Sequence, residues 1–273
     1  MSNPYVVDGQ PPALQQSVFT SLDILGYKEM VLAAEREGTS DELLTRLHAT
    51  LARGRELLDP DNPFTRDSDS DLYVLKAFTD NIVIGWPADE DAEAELGSMY
   101  GRLAQFQLEL ATAGFFVRGG LSVGMAYLDE IAVFGGALIE AYRGESETAR
   151  DPRIVLTESA VNLMEQHLGY YAYPEESPQN SVLLRDSDGQ VFINYLNAVF
   201  TDDGPILQRL SEHKSQVMTR LVEFGQAPAV WSKYAWVARY HNVFITQNRL
   251  DAALLIPRAE FAADPQVLVQ ADA

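Results

Sequence analysis

Apolar residues recur along the chain with two different periods, and the points where the period changes mark the elements. Residues 16–25 are rich in β-branched and large apolar side chains, which predicts a buried strand. Tyr27 to Glu37 predicts a short helix. Thr39-Ser40-Asp41-Glu42 has the spacing of a capping box, with Thr39 as N-cap and Glu42 reaching back. The helix it opens carries Leu43, Leu44, Leu47, Leu51 and Leu58 on one face and stops before Asp59-Pro60. Leu72–Phe78 and Ile82–Trp86 predict the two strands of a hairpin turning at Thr79-Asp80-Asn81, with Pro87 closing the second. Asp89 to Ala113 predicts a helix with an acidic first turn. Its buried stripe is Leu96, Met99, Leu103, Phe106 and Leu110, and Gly114 is its C-cap.

Phe115 to Gly124 predicts a strand whose glycines leave room for another backbone. Ile131 to Phe134 is a further short strand. Gly135-Gly136 then opens a helix from Ala137 to about Ala149, followed by a strand at Arg153–Leu156 and a helix at Glu158–Leu168. The order β-α-β-β-α-β-β-α-β over residues 16–156 predicts an α+β sandwich, a sheet covered by helices on one face. Farther on, Ser181–Arg185 and Val191–Tyr195 flank the turn signal Asp186-Ser187-Asp188-Gly189. Pro205–Phe224 predicts a helix. Trp231–Ile245 predicts another, with Trp231, Tyr234, Trp236, Tyr240 and Phe244 at spacings that suit a core or a subunit interface. The chain divides into a loose lead-in (1–15), a main domain (16–168), an extension packed on the domain or across a dimer (169–256) and a frayed acidic end (257–273).

With 47% apolar residues over 273 positions, the chain has enough material for a large buried core. It has no cysteine, which removes disulfides, thiolate metal sites and cysteine nucleophiles and fits a reducing compartment. Met1 to Pro12 lacks the basic start and apolar run of a signal peptide, and no stretch approaches the ~20 apolar residues of a membrane span. A soluble cytoplasmic protein is expected, with no membrane attachment. The net charge of −20 repels nucleic acid backbones, so nucleic acid binding is not expected. A free nucleotide is compatible with that charge when cations accompany it. Asp67-Ser68-Asp69-Ser70-Asp71 resembles the start of a calcium loop, but Leu72 stands where that loop needs glycine. His48, His167, His213 and His241 are scattered, with no pair at metal spacing.

The candidate chemistry rests on two aspartates. Asp23 ends the first apolar run, and Asp80 sits in the hairpin. Two strand-borne carboxylates that converge can hold divalent cations for phosphate chemistry. The alternative is two ordinary strand-end carboxylates. Around them the phrases Leu22-Asp23-Ile24-Leu25-Gly26-Tyr27, Phe78-Thr79-Asp80-Asn81, Val117-Arg118-Gly119-Gly120 and Phe134-Gly135-Gly136-Ala137-Leu138, with Ala141-Tyr142-Arg143 after, follow one another in order. In these four blocks the chain resembles the class III nucleotidyl cyclases. It is most similar to the bacterial pyrimidine cyclases of the Pycsar antiphage system, and the aromatic helix from Lys233 to Asn242 belongs to that likeness.

The resemblance implies a ferredoxin-type βαββαβ sandwich with a C-terminal hairpin and helical extension. It implies that Asp23, Asp80 and the carbonyl of Ile24 hold two divalent cations, Mn²⁺ or Mg²⁺. From the residues themselves, Arg118 is a further candidate for phosphate charge, Gly26 and Tyr27 are candidates for nucleotide contact, and Tyr73 either stacks on a base or packs in the core. The resemblance matches Arg143 to an arginine on polyphosphate and Lys76 to a lysine that touches the base. It further implies a homodimer with sites at the subunit interface, UTP or CTP as substrate, and a separate effector protein that reads the cyclic product. Three positions depart from the purine cyclases: Thr79 replaces a glycine, Ile139 a transition-state asparagine and Ala132 the adenine-reading aspartate. Ile139 leaves open a rival reading, a catalytically silent cyclase-like domain that binds a nucleotide or a partner.

Overall fold

The computed structural model describes residues 3–58, 73–88 and 92–261. The acidic run at 67–71, the expected helix start at Asp89 and the end of the chain from 262 lie outside them. The first strand, β1 (Gln15–Ile24), leads into helices α1 (Tyr27–Glu37) and α2 (Ser40–Leu58), then the hairpin β2 (Val74–Phe78) and β3 (Asn81–Pro87). Helix α3 (Glu93–Thr112), strands β4 (Val117–Leu128) and β5 (Val133–Gly135), helix α4 (Gly136–Arg143) and strand β6 (Ile154–Leu156) complete the expected order. Next come α5 (Glu158–Leu168), α6 (Gln179–Val182), β7 (Leu183–Arg185), β8 (Val191–Ile193), the short pair β9 (Phe200–Thr201) and β10 (Gly204–Pro205), and helices α7 (Leu207–Glu223) and α8 (Pro228–Gln247).

One mixed sheet runs β2-β3-β1-β4-β6-β8-β7, with β5 paired to β4. β1 is antiparallel to both β3 and β4, and β4 is parallel to β6. The protein is therefore α+β. The late hairpin continues the main sheet through β6 and β8. One core of buried side chains spans both segments, from Val18 on β1 to Phe244 on α8.

Period-two alternation divides β1 between two faces. Val18, Leu22 and Ile24 point to the large core under α2, α3, α7 and α8, and Phe19 points to a smaller one under α4. The α3 stripe is buried throughout, from Leu96 to Leu110. Gly114, at φ 89°, ends that helix: its N–H goes to Ala111 and that of Phe115 to Leu110, a Schellman closure. Helix α2 departs from its expected face, because Leu44 is exposed. Gly54 instead meets α3, where a Cβ would come within 2.6 Å of the Phe106 ring. Thr39 does open α2, its carbonyl accepting from Leu43 N–H at 3.0 Å.

Three further expectations are revised. The lead-in is anchored, with Tyr5 buried in the smaller core and Asn3 Nδ2 donating to Leu128 O at 3.0 Å. The helix expected from Ala137 to Ala149 stops at Arg143 and becomes a π turn, Gly144–Thr148. The scattered His213 and His241 meet in the core, their Nδ1 atoms 3.0 Å apart.

Candidate active site

Asp23 is the penultimate residue of β1, and Asp80 lies in the β2–β3 turn. The register places Asp23 opposite Asn81 on one side and Arg118 on the other. Ile24 N–H donates to Asp80 O at 2.9 Å, which fastens the end of β1 to the hairpin turn. Thr79 adopts φ 58°, the left-handed conformation a glycine would take without strain. Its hydroxyl and the Asn81 amide both donate to Asp80 Oδ1, at 2.8 and 2.9 Å. Asp23 Oδ2 accepts from Arg118 Nε at 2.9 Å. Among the described residues nothing bonds Oδ1 of Asp23 or Oδ2 of Asp80, so each carboxylate keeps an oxygen open.

Arg118 also pairs through Nη2 with Glu145 Oε1 at 2.9 Å. Glu145 sits in the π turn and is 3% exposed. Two glycines bring it there. A Cβ on Gly120 of β4 would lie 2.2 Å from Ala141 O and 2.8 Å from Gly144 Cα, so α4 and its π turn rest directly on the strand backbone. Burial pushes the Glu145 carboxyl above its ordinary range; the Arg118 charge pulls it down, and the charges of Asp23 and Asp80 add to the upward push. Lys233 arrives from α8. Burial and the Arg118 charge hold its ammonium below the usual lysine range, against the pull of Asp23, Asp151 and Glu145. Its neighbour Tyr234 packs on Phe116, just before Arg118, and stacks on Phe224, which reaches toward Gly26.

The structure thus gathers Asp23, Asp80 and Arg118. Gly26 adjoins them in the left-handed conformation at φ 74°, where it opens α1, and Tyr27 is the first residue of that helix. The carbonyl of Ile24 stands at the end of the same strand. Lys76 shares the Asp23 face, pairing with Val83 across the hairpin. Tyr73 does not. Three positions before Lys76, it is out of phase by one and falls on the opposite face. There it packs on Trp86 at 5.9 Å and donates its hydroxyl to Arg55 O. Arg143 is exposed at the end of α4 and makes no ion pair among the described residues. In the loop before β5, Asp129 accepts from the N–H groups of Ile131 and Ala132 and from the Tyr127 hydroxyl. The Ala132 N–H does most to hold that carboxyl low, and the Lys76 charge contributes.

Beyond Asp23 the same sheet face is open and apolar. Phe78, Ile139 and Tyr142 are each more than half exposed, and a groove of about 380 Å³ runs between Phe78, Asn81, Val83 and the Ile139–Tyr142 side of α4. Exposed apolar surface of this extent marks an interaction face.

Among the described residues no three His, Cys, Asp or Glu side chains are set to hold a metal ion together. The open oxygens of Asp23 and Asp80 are hard donors of the kind Mg²⁺ and Mn²⁺ take. The Arg118 guanidinium already supplies a positive charge at Asp23. The pair therefore fits cations that bring the rest of their ligands with them, as triphosphate complexes do. Nothing in the sequence singles out Glu145 or Lys233. Glu145 reads as the solvated end of a helix, and Lys233 as a lone charge in an aromatic stripe. No described helix is long and apolar enough to cross a membrane. No protein-family model matches the chain, and no curated protein matches it either.

Proposed function

We propose that the protein is a pyrimidine nucleotide cyclase of the class III type, converting UTP or CTP to the 3′,5′-cyclic monophosphate and pyrophosphate. The observation that carries this reading is the junction of Asp23 and Asp80, fastened through Ile24 N–H and Asp80 O, with Arg118 beside it. The β-α-α-β-β-α-β order of β1 to β4 and their sheet order β2-β3-β1-β4 support the cyclase likeness.

Asp23 and Asp80, with the carbonyl of Ile24, would hold two divalent cations, Mn²⁺ or Mg²⁺. When bound, such cations lower the pKa of a ribose 3′-hydroxyl and neutralise the triphosphate. The protein's own part is to orient and to balance charge. The backbone at Gly26 and Tyr27 opens a helix whose free N–H groups suit phosphate oxygens. Arg118 offers charge to the phosphates as the 3′-oxygen bonds to the α-phosphorus and pyrophosphate leaves with the electron pair of the broken bond. Lys76 faces the base. Its ammonium only donates, which suits the carbonyl edges of uracil better than the amino edge of cytosine. The usual adenine reader is incomplete: Ala132 has no side-chain acceptor, and Asp129 is engaged with its own loop.

The open face beside the site is read as the homodimer surface, with Arg143 on the rim of α4 acting on the partner's substrate. Its exposure, with no ion pair among the described residues, leaves it available for that role. The cyclic product then serves in the cytoplasm as an antiphage signal, read by a separate effector. The rival reading, a silent sensor, draws on Ile139, an exposed apolar side chain where a purine cyclase has its asparagine. Incubation of the purified protein with each of the four ribonucleoside triphosphates and Mn²⁺ separates them. Cyclic UMP or cyclic CMP is expected. No cyclic product from any of the four would overturn the enzyme reading.

A further inference from the structure

Glu145 is a costly residue to keep. Its side chain is 4% exposed, and its one ion pair among the described residues is with Arg118. A buried carboxylate loses its hydration and regains little from a single partner, so stability alone is a poor account of it. The partner is also shared. Arg118 gives Nε to Asp23 and Nη2 to Glu145, both at 2.9 Å, and leaves Nη1 uncommitted among the described residues.

The two anchors differ in kind. Asp23 stands at a strand end with its other oxygen open, whereas Glu145 is set in the π turn that Gly120 and Gly144 dock onto the β4 backbone. A divalent cation on Asp23 would meet the Arg118 charge at the same carboxylate, and like charges at that range repel strongly. Arg118 must then give up Asp23. Where it goes depends on what still holds it.

We propose that Glu145 is a positioning residue, a fixed tether that lets Arg118 leave Asp23 for a substrate phosphate without leaving the site. This rests on the cyclase reading. In the metal-free protein Arg118 neutralises Asp23. Once cations arrive, the guanidinium pivots on its Glu145 contact and presents Nε and Nη1 to the triphosphate. Asp23 is the exchangeable anchor and Glu145 the permanent one.

The test uses the full chain and the variants E145Q, E145D, R118Q and D23N. Mn²⁺ binding without nucleotide is measured by calorimetry, melting temperature is recorded for each variant, and kcat and KM are measured for the active triphosphate. E145Q, which keeps an acceptor but removes the tether's charge, should shift Arg118 toward Asp23, weaken Mn²⁺ binding by about fivefold and raise KM by about tenfold, with kcat less affected. E145D should recover part of both losses. R118Q, which removes the competing charge, should tighten Mn²⁺ binding. A purely structural Glu145 predicts otherwise: E145Q would lower the melting temperature while leaving Mn²⁺ affinity and KM within about twofold of wild type, and that result overturns the tether. Should E145Q fail to fold, R118Q and E145D decide through Mn²⁺ affinity: values for both equal to wild type refute the competition. Absence of cyclic product from the wild type, or Mn²⁺ binding indifferent to D23N, condemns the cyclase reading instead.

Discussion

His213 and His241 carry a prediction that depends on the fold alone. Leu254 O can only accept, so His241 Nε2, 3.0 Å away, is the donor to it. A neutral His241 then has Nδ1 as an acceptor. His213 Nδ1, 3.0 Å distant, must donate to it, and His213 Nε2 accepts from the Tyr195 hydroxyl at 2.8 Å. A proton added to His241 would set two N–H groups against each other. Burial lowers both rings; their mutual charge adds to this for His213, and Lys214 adds to it for His241, whose pKa falls to about 4. A histidine with a depressed folded pKa stabilises the protein fully above its unfolded value, ~6.5. That stabilisation is lost as pH falls toward the folded value, because the unfolded chain takes up the proton first. For a shift from 6.5 to about 4, His241 alone removes about 2 kcal/mol between pH 7 and pH 5, and His213 adds to the loss in the same direction. Urea unfolding at the two pH values, followed by tryptophan fluorescence and far-UV circular dichroism, measures it. His241→Gln keeps a donor for Leu254 O and an acceptor for His213, so it should flatten the pH dependence by its own share. A wild-type stability equal at pH 7 and pH 5, or a slope that His241→Gln leaves unchanged, refutes the assignment.

Two further outcomes follow from the packing around the site. Gly120→Ala forces a Cβ to within 2.2 Å of Ala141 O. It should cost about 1–3 kcal/mol by overpacking and depress cyclase activity more than Gly136→Ala, whose Cβ meets open space; equal activity in the two variants would contradict the docking role. Tyr142→Glu places a charge on the open apolar face while leaving the core intact, since Tyr142 is 54% exposed. Analytical ultracentrifugation should show the wild type as a dimer and this variant shifted toward monomer, and a wild-type monomer at all concentrations would count against a shared site.

Much of the fold is visible in the sequence because it depends on local patterns. The α3 stripe, Gly114 as its terminator and helix α5 at Glu158–Leu168 follow from periodicity and capping alone. The shared face of Asp23 and Arg118 is different. Each is placed by strand alternation, but their contact needs a register between segments 95 positions apart. The resemblance puts both residues in one site, but their contact is visible only in the structure. Glu145 is hidden for a physical reason. Continuing α4 at 3.6 residues per turn puts Glu145 on the side of Ala137 and Ala141, but a charged residue after Gly144 reads as the solvated end of a helix, and the wider π turn that buries it comes from Gly144 resting on Gly120. Lys233 is hidden because its partners come from β1, the π turn and the loop before β6. Tyr73 takes the packing alternative of its two readings. An aromatic three residues from Lys76 suits base stacking on paper, yet alternation sends it through the sheet to Trp86.

The central claim is that Asp23 and Asp80 together organise cyclisation of a pyrimidine triphosphate. The most direct measurement sets wild type beside Asp80→Ala with UTP and with CTP in Mn²⁺, the 3′,5′-cyclic product and pyrophosphate both quantified by mass spectrometry and enzymatic assay. Equal molar yields of the two products are expected from the wild type. A loss of at least about 100-fold is expected in Asp80→Ala, whose fold should persist because Asp80 holds β1 through its backbone carbonyl rather than its side chain. Full activity in Asp80→Ala, or no cyclic nucleotide from the wild type, would contradict it.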